Sequence, residues 1–132
     1  MPAPKVSTKP VFQKLGLKPA HRATILSVPP DVKLGKTPAG AKFEKSFRGE
    51  FDFVLGFYES QKALEADLAK ARKALTPSGM AWVCWRKGGV TELSRETIWA
   101  AGEKAGLESV ASCAIDDAWS ALKLMFPKSQ RR

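Results

Sequence analysis

The side chains of this sequence whose types and spacing could do chemistry fall in a few short runs. Trp85-Arg86-Lys87 sets an aromatic plane next to cations. An indole with an ammonium beside it can hold an anionic or planar ligand. Trp85 and Lys87 share a side if a strand continues through residue 87, with Gly88-Gly89 as a flexible exit. The competing role is plainer, with Trp85 filling a crevice and Lys87 solvated. Tyr58-Glu59 and Pro29-Pro30-Asp31 close two other strand-like runs, so they would meet Trp85 and Lys87 at one edge of an open sheet. Lys123 follows Trp119 and Ala121 at period two and therefore shares their face. Were that strand interior, its lysine would have to reach solvent along its stem, find a carboxylate such as Asp116 or Asp117, or give up its charge.

Other constellations are ruled out by spacing. Asp116-Asp117 are adjacent in a turn, so their carboxylates diverge, and aspartate is a routine turn former. His21 is the chain's single histidine, and no serine or cysteine lies at an interpretable distance from it, so no catalytic triad is assigned. Cys84 and Cys113 form no CxxC pair and have no histidine co-ligand, which excludes a zinc site of the Cys/His type. Both sit in apolar runs, where a free thiol packs as a small hydrophobe. Gly88-Gly89 lacks the Gly-Lys-Ser/Thr of a phosphate loop. The sequence thus offers no catalytic residue and no metal ligand set. Its ligand-binding candidates are Pro29, Pro30, Tyr58, Trp85, Lys87, Trp119 and Lys123.

The elements that must position these residues follow from apolar periodicity. Residues 11–17 read as a short helix or turn that docks through Val11, Phe12, Leu15 and Leu17. Ala23–Val28 is a β-rich apolar run, ended by Pro29-Pro30 because proline supplies no ladder N–H. Residues 29–40 hold three prolines and two glycines and read as loop. A short strand is expected around 41–47 and a strong one over 51–58. Leu64, Leu68, Ala71 and Leu75 make the stripe of a helix over 61–75, capped by Ser60 and stopped at Thr76-Pro77. Met80–Trp85 is the next strand. A second helix starts at Ser94, stapled by Leu93 on Ile98, and ends at Gly106. Ser109–Ile115 and Trp119–Phe126 then form a hairpin. The order β-β-β-α-β-α-β-β predicts a mixed sheet, parallel first and antiparallel last.

At 132 residues and 44% hydrophobic content the chain suits one domain with its own core. We expect a disordered arm over 1–10, a domain over 11–126 and a basic tail over 127–132. Of the net charge of +9, seven units come from residues 1–18 and 127–132, leaving 15 basic residues against 13 acidic ones between them. Basic tails add salt-sensitive affinity for phosphates, which makes nucleic-acid association a second alternative, although solubility is the commoner explanation of such charge. No run is long enough to cross a membrane and no signal-peptide h-region is present, so a cytoplasmic protein is expected.

Several segments, in order, resemble the class I S-adenosylmethionine-dependent methyltransferases. "LGLKPAHRATILSV" resembles the entry to their first strand and "FDFVLGF" their fourth. "ALTPSGMAWVCW" is similar to their helix, Pro-Gly turn and fifth strand, and "AGLESVASCAIDDAWSALKLMF" to their closing antiparallel pair. More closely, Leu15-Gly16-Leu17 with Pro19, Trp85 with Lys87, and Trp119-Ser120-Ala121-Leu122-Lys123 resemble a family of short bacterial proteins with a truncated version of that layout and no assigned activity. The resemblance implies a Rossmann-like mixed sheet flanked by helices. The larger superfamily carries a glycine-rich turn after its first strand, where only glycine leaves room for the cofactor. Here Ser27-Val28-Pro29-Pro30 stands instead. Glu44 is the nearest acidic residue that could hold a ribose, and Gly56-Phe57-Tyr58-Glu59 departs from the Asn/Asp-Pro-Pro-Tyr pattern of the amino-group enzymes. The expectation is therefore a non-catalytic scaffold without cofactor that binds a small molecule or a protein. A divergent methyltransferase using Trp85 and Tyr58 is the alternative.

Overall fold

In a computed structural model the described residues are 12, 15–18, 21–30, 32, 42–44 and 49–130. The arm over 1–10, most of the loop over 29–40 and the last two residues lie outside them, as do the expectations placed there. Among the described residues the strands and the longer helices run in the order β1 (Arg22–Leu26), β2 (Lys42–Glu44), β3 (Phe51–Phe57), α1 (Gln61–Ala74), β4 (Leu75–Arg86), α2 (Arg95–Lys104), β5 (Glu108–Ala114) and β6 (Trp119–Met125). They form one sheet ordered β2-β1-β3-β4-β6-β5. β2, β1, β3 and β4 are parallel, and β6 and β5 join antiparallel to them and to each other. The mixed sheet and the closing hairpin are those read from the pattern.

Each face of the sheet has its own core. On one, Val54, Ala81, Val83, Leu122 and Leu124 meet Leu64, Leu68 and Ala71 of α1 and Ile98 and Ala101 of α2. The other gathers Phe53, Leu55, Phe57, Trp82, Cys84, Trp119 and Ala121 under Phe12, Leu15, Leu17 and Val32. That second face has no long helix over it among the described residues. The short N-terminal turn takes the place, fixed by the Trp82 indole N–H, which donates to the Leu15 carbonyl at 2.8 Å in the interior.

The helix boundaries follow their caps. Ser60 accepts from the Ala63 amide. Ser94 and Thr97 bond reciprocally in a capping box, and Leu93 and Ile98 are both buried beside it. Gly106 takes φ 85°, and the amides of Gly106 and Leu107 return to the carbonyls of Glu103 and Gly102. A left-handed residue there closes the helix while keeping its last carbonyls bonded.

Two expectations need correction. Thr76-Pro77-Ser78-Gly79 does not separate helix from strand, since β4 starts at Leu75 directly after α1. Pro77 is tolerated because it lies exposed where the β3–β4 register shifts, between Phe51 and Phe53. β1 also ends sooner than expected, at Leu26, and its last two residues are only half-buried.

Candidate functional site

The carboxyl ends of the parallel strands form one edge, and the described residues there can be taken strand by strand. After β1, Ser27 adopts φ 57°, in the left-handed region that non-glycine residues rarely occupy. Pro29 and Pro30 follow, the first half-buried and the second exposed. The chain then turns back at once: the Val32 amide donates to the Pro29 carbonyl at 3.1 Å, and Val32 packs into the core on the face opposite α1 and α2. Beside it, Glu44 is the last residue of β2 and pairs with Thr24 of β1.

At the end of β3, Tyr58 turns inward. Its hydroxyl donates to the Asp67 carboxylate of α1 at 2.7 Å, and its amide donates to the Cys84 carbonyl. The ring lies so close over Gly56 that a Cβ there would stand 2.5 Å from the phenol oxygen. Burial, then the bond to Asp67 and the charge of that carboxylate, push the phenol above the ordinary tyrosine range. Tyr58 is thus a pillar between sheet and helix, with its polar atom already engaged.

An aromatic paired with a cation exists at this edge, but both members differ from the expected Trp85 and Lys87. β4 ends at Arg86, and Lys87 opens a short 3-10 turn, so the condition that would align Trp85 with Lys87 fails. Trp85 packs on the helix side, partly buried. On the other face Arg86 is the cross-strand partner of Trp119. Its guanidinium lies 4.5 Å from the centre of the Trp119 ring and its Nε is 3.2 Å from the Glu59 carboxylate. Trp119 in turn meets Phe57 edge-on, with centroids 5.2 Å apart. Its indole nitrogen is buried and makes no hydrogen bond. Arg86 and Phe57 are the site residues that reading the sequence missed. Arg86 alternates with Cys84 and Trp82, which marks its face, but only the register with β6 shows that it meets Trp119.

Lys123 and the aspartates are not partners. Asp116 Oδ1 accepts from the amides of Ala118 and Trp119, at 2.8 and 2.9 Å, and so shapes the hairpin. The Lys123 ammonium instead sits 5.7 Å from the centre of the Trp82 ring, its cross-strand partner. The side chain is half-buried, which lets the head reach solvent while the stem covers the sheet.

One further place that could have drawn an anion is filled from within. The first amide of α1, on Gln61, donates at 2.6 Å to the Glu92 carboxylate from the loop before α2. A helix N-terminus favours negative charge, and here the chain supplies it. No cluster of three or more histidine, cysteine or acidic side chains suited to a metal occurs among the described residues. Cys84 is fully buried, which raises its thiol well above the usual range, and both cysteines are free. The edge therefore presents Arg86 stacked on the buried Trp119 ring and flanked by the Glu59 carboxylate. Among the described residues it presents no nucleophile with an adjacent base.

Comparison with solved structures places this architecture. A putative methyltransferase from Thermoplasma acidophilum superposes with TM-score 0.58 at 8% identity, over 96% of this chain and 78% of its own. TrmN from Thermus thermophilus gives 0.57 at 12%, over 89% and 47%, and magnesium protoporphyrin IX methyltransferase from Synechocystis gives 0.52 at 9%, over 66% and 46%. The chain spans about half the length of the latter two. The fold is that of the class I methyltransferases, in shortened form. Within it, residues 40–128 match the model of DUF3052, a family of proteins of unknown function, and the chain belongs to that family. A search of the curated proteins found no match. No helix among the described residues is long and apolar enough to cross a membrane.

Proposed function

We propose that this chain is a non-catalytic binding module on a methyltransferase-like scaffold, with its ligand or protein partner held at the carboxyl edge around Arg86 and Trp119. The observation that carries this reading is the turn after β1. A dinucleotide or adenosyl group needs backbone amides and open space at that turn. Here two consecutive residues have no N–H, and the segment folds back to bury Val32. Those residues do not fit S-adenosylmethionine. Tyr58, the aromatic closest in sequence to the end of β3, is committed to Asp67.

One observation favours a second reading. Glu44 closes β2 immediately beside β1, the place from which the resemblance expects an acid to reach a ribose. A divergent methyltransferase would draw on it. Calorimetric titration of the intact protein with S-adenosylmethionine, and then with its demethylated product, separates the two. We expect no saturable heat up to millimolar ligand. Affinity in the micromolar range, lost in Glu44→Gln, would replace the first reading with the second.

A further inference from the structure

A concavity among the described residues lies away from the carboxyl edge. It is a groove of about 410 Å³ between α1 and α2, lined by Leu68, Ala69, Ala101 and Ala105 and by the charged residues Glu65, Arg72, Lys73 and Lys104. α1 runs back from the end of β3 to the start of β4, so Arg72 and Lys73 in its last turn stand toward the amino ends of the parallel strands. Alanines on the facing walls leave the helices apart at the surface, and the floor is apolar.

Three cations and one carboxylate line this groove. None of the three has a carboxylate partner among the described residues, and Glu65 is engaged by the Gln61 amide group of its own helix at 2.9 Å. Arg72, although exposed, leans on an aromatic ring and on the backbone beside it. Its guanidinium lies 5.5 Å from the centre of the Phe126 ring and against Gly106, where a Cβ would come within 2.9 Å of Nε. A guanidinium supported this way loses less freedom when it meets a carboxylate. The charge is also unevenly placed. Glu65 is two turns from Arg72, about 10 Å along the helix, so the groove has a cationic end and an end that disfavours acids.

We propose that this groove docks an acidic amphipathic helix from another protein, its apolar face on Ala69 and Ala105 and its carboxylates at the end marked by Arg72, Lys73 and Lys104. The chain's own tails are lysine- and arginine-rich and would be repelled. A second copy would bring α1, with Lys62, Lys70, Arg72 and Lys73 against Glu65 and Asp67, which is again net positive. A nucleic acid would match the cations but gain nothing from the alanine-lined floor. Apolar anchors on one helical face are the recurring means by which helices seat in grooves.

The test uses the full chain and a labelled peptide of about 16 residues, long enough for roughly four turns, with leucine and alanine on one face and glutamates toward one end. Fluorescence anisotropy should show saturable binding that weakens with salt. Lys73→Glu combined with Lys104→Glu, both exposed, should weaken it at least about tenfold. Ala69→Trp, which fills the groove from its exposed wall, should weaken it as much. Circular dichroism and melting of both variants should match the parent. The proposal is overturned by absence of binding at millimolar peptide, by equal binding of a peptide with scrambled periodicity, or by binding that Ala69→Trp leaves intact. A single-stranded oligonucleotide that binds more tightly than the peptide and is displaced by the same double variant also overturns it.

Discussion

Tyr58 shows how one side chain can look like a ligand contact in sequence and act as a brace in the fold. An aromatic hydroxyl at the end of a central strand is well placed for a substrate, and nothing in its neighbours signals otherwise. The deciding facts are Gly56, whose missing Cβ admits the ring, and Asp67, nine residues on and one helix away. Gly56 does not need a left-handed conformation, so its role is one of space alone. Gly56→Ala should therefore destabilise the protein by about 1–3 kcal/mol, as overpacking of a filled site does, measured by urea unfolding. Tyr58 is the chain's single tyrosine, so its ionisation can be followed directly by tyrosinate absorbance. Its folded pKa lies above that of the unfolded chain. The stability it contributes is thus complete below about pH 10 and declines as pH rises beyond that value. The absorbance should stay flat above pH 10 until the protein unfolds and then rise in step with loss of structure. Ordinary titration in the folded state would contradict the burial and the bond to Asp67.

At the scale of elements, the sequence was most legible where local chemistry decides. Ser60, Ser94, Leu93 and Gly106 marked helix ends that the structure keeps, because caps act within a few residues of where they are written. The start of β4 was less legible. A Thr-Pro-Ser-Gly run reads as a break, yet an exposed proline at a register shift leaves a neighbouring strand able to continue. The stack of Arg86 on Trp119 was not legible at all, since residues 33 positions apart meet only through strand register. The N-terminal turn depends on one long-range bond of this kind. Trp82→Phe keeps an aromatic ring but strands the buried Leu15 carbonyl. We expect a loss of about 1–3 kcal/mol, the cost of a buried acceptor left unpaired. Denaturant unfolding checks the magnitude. Faster exchange at the Gly16 and Leu17 amides, which bond to Phe12, checks that the turn is what loosens.

Across the whole molecule, element order and the sheet's change from parallel to antiparallel were readable because each piece carried its own periodicity. The order β2-β1-β3-β4-β6-β5 was not a product of periodicity. It depends on β1 entering between β2 and β3, a choice made by contacts far apart in sequence. That insertion has a consequence for how the chain holds together. Every fully buried residue of the helix-side core falls between Phe51 and Leu124, whereas the opposite core draws Phe12, Leu15, Leu17, Ala23 and Val32 from the first quarter of the chain. The N-terminal part thus adds two strands to the sheet and covers one of its faces, while the rest holds the helix-side core. Cleaved between Gly49 and Glu50, the protein should reconstitute from its two fragments without a covalent link. The larger piece alone should bind an apolar dye through Phe53, Phe57 and Trp82 and release it when the smaller piece is added.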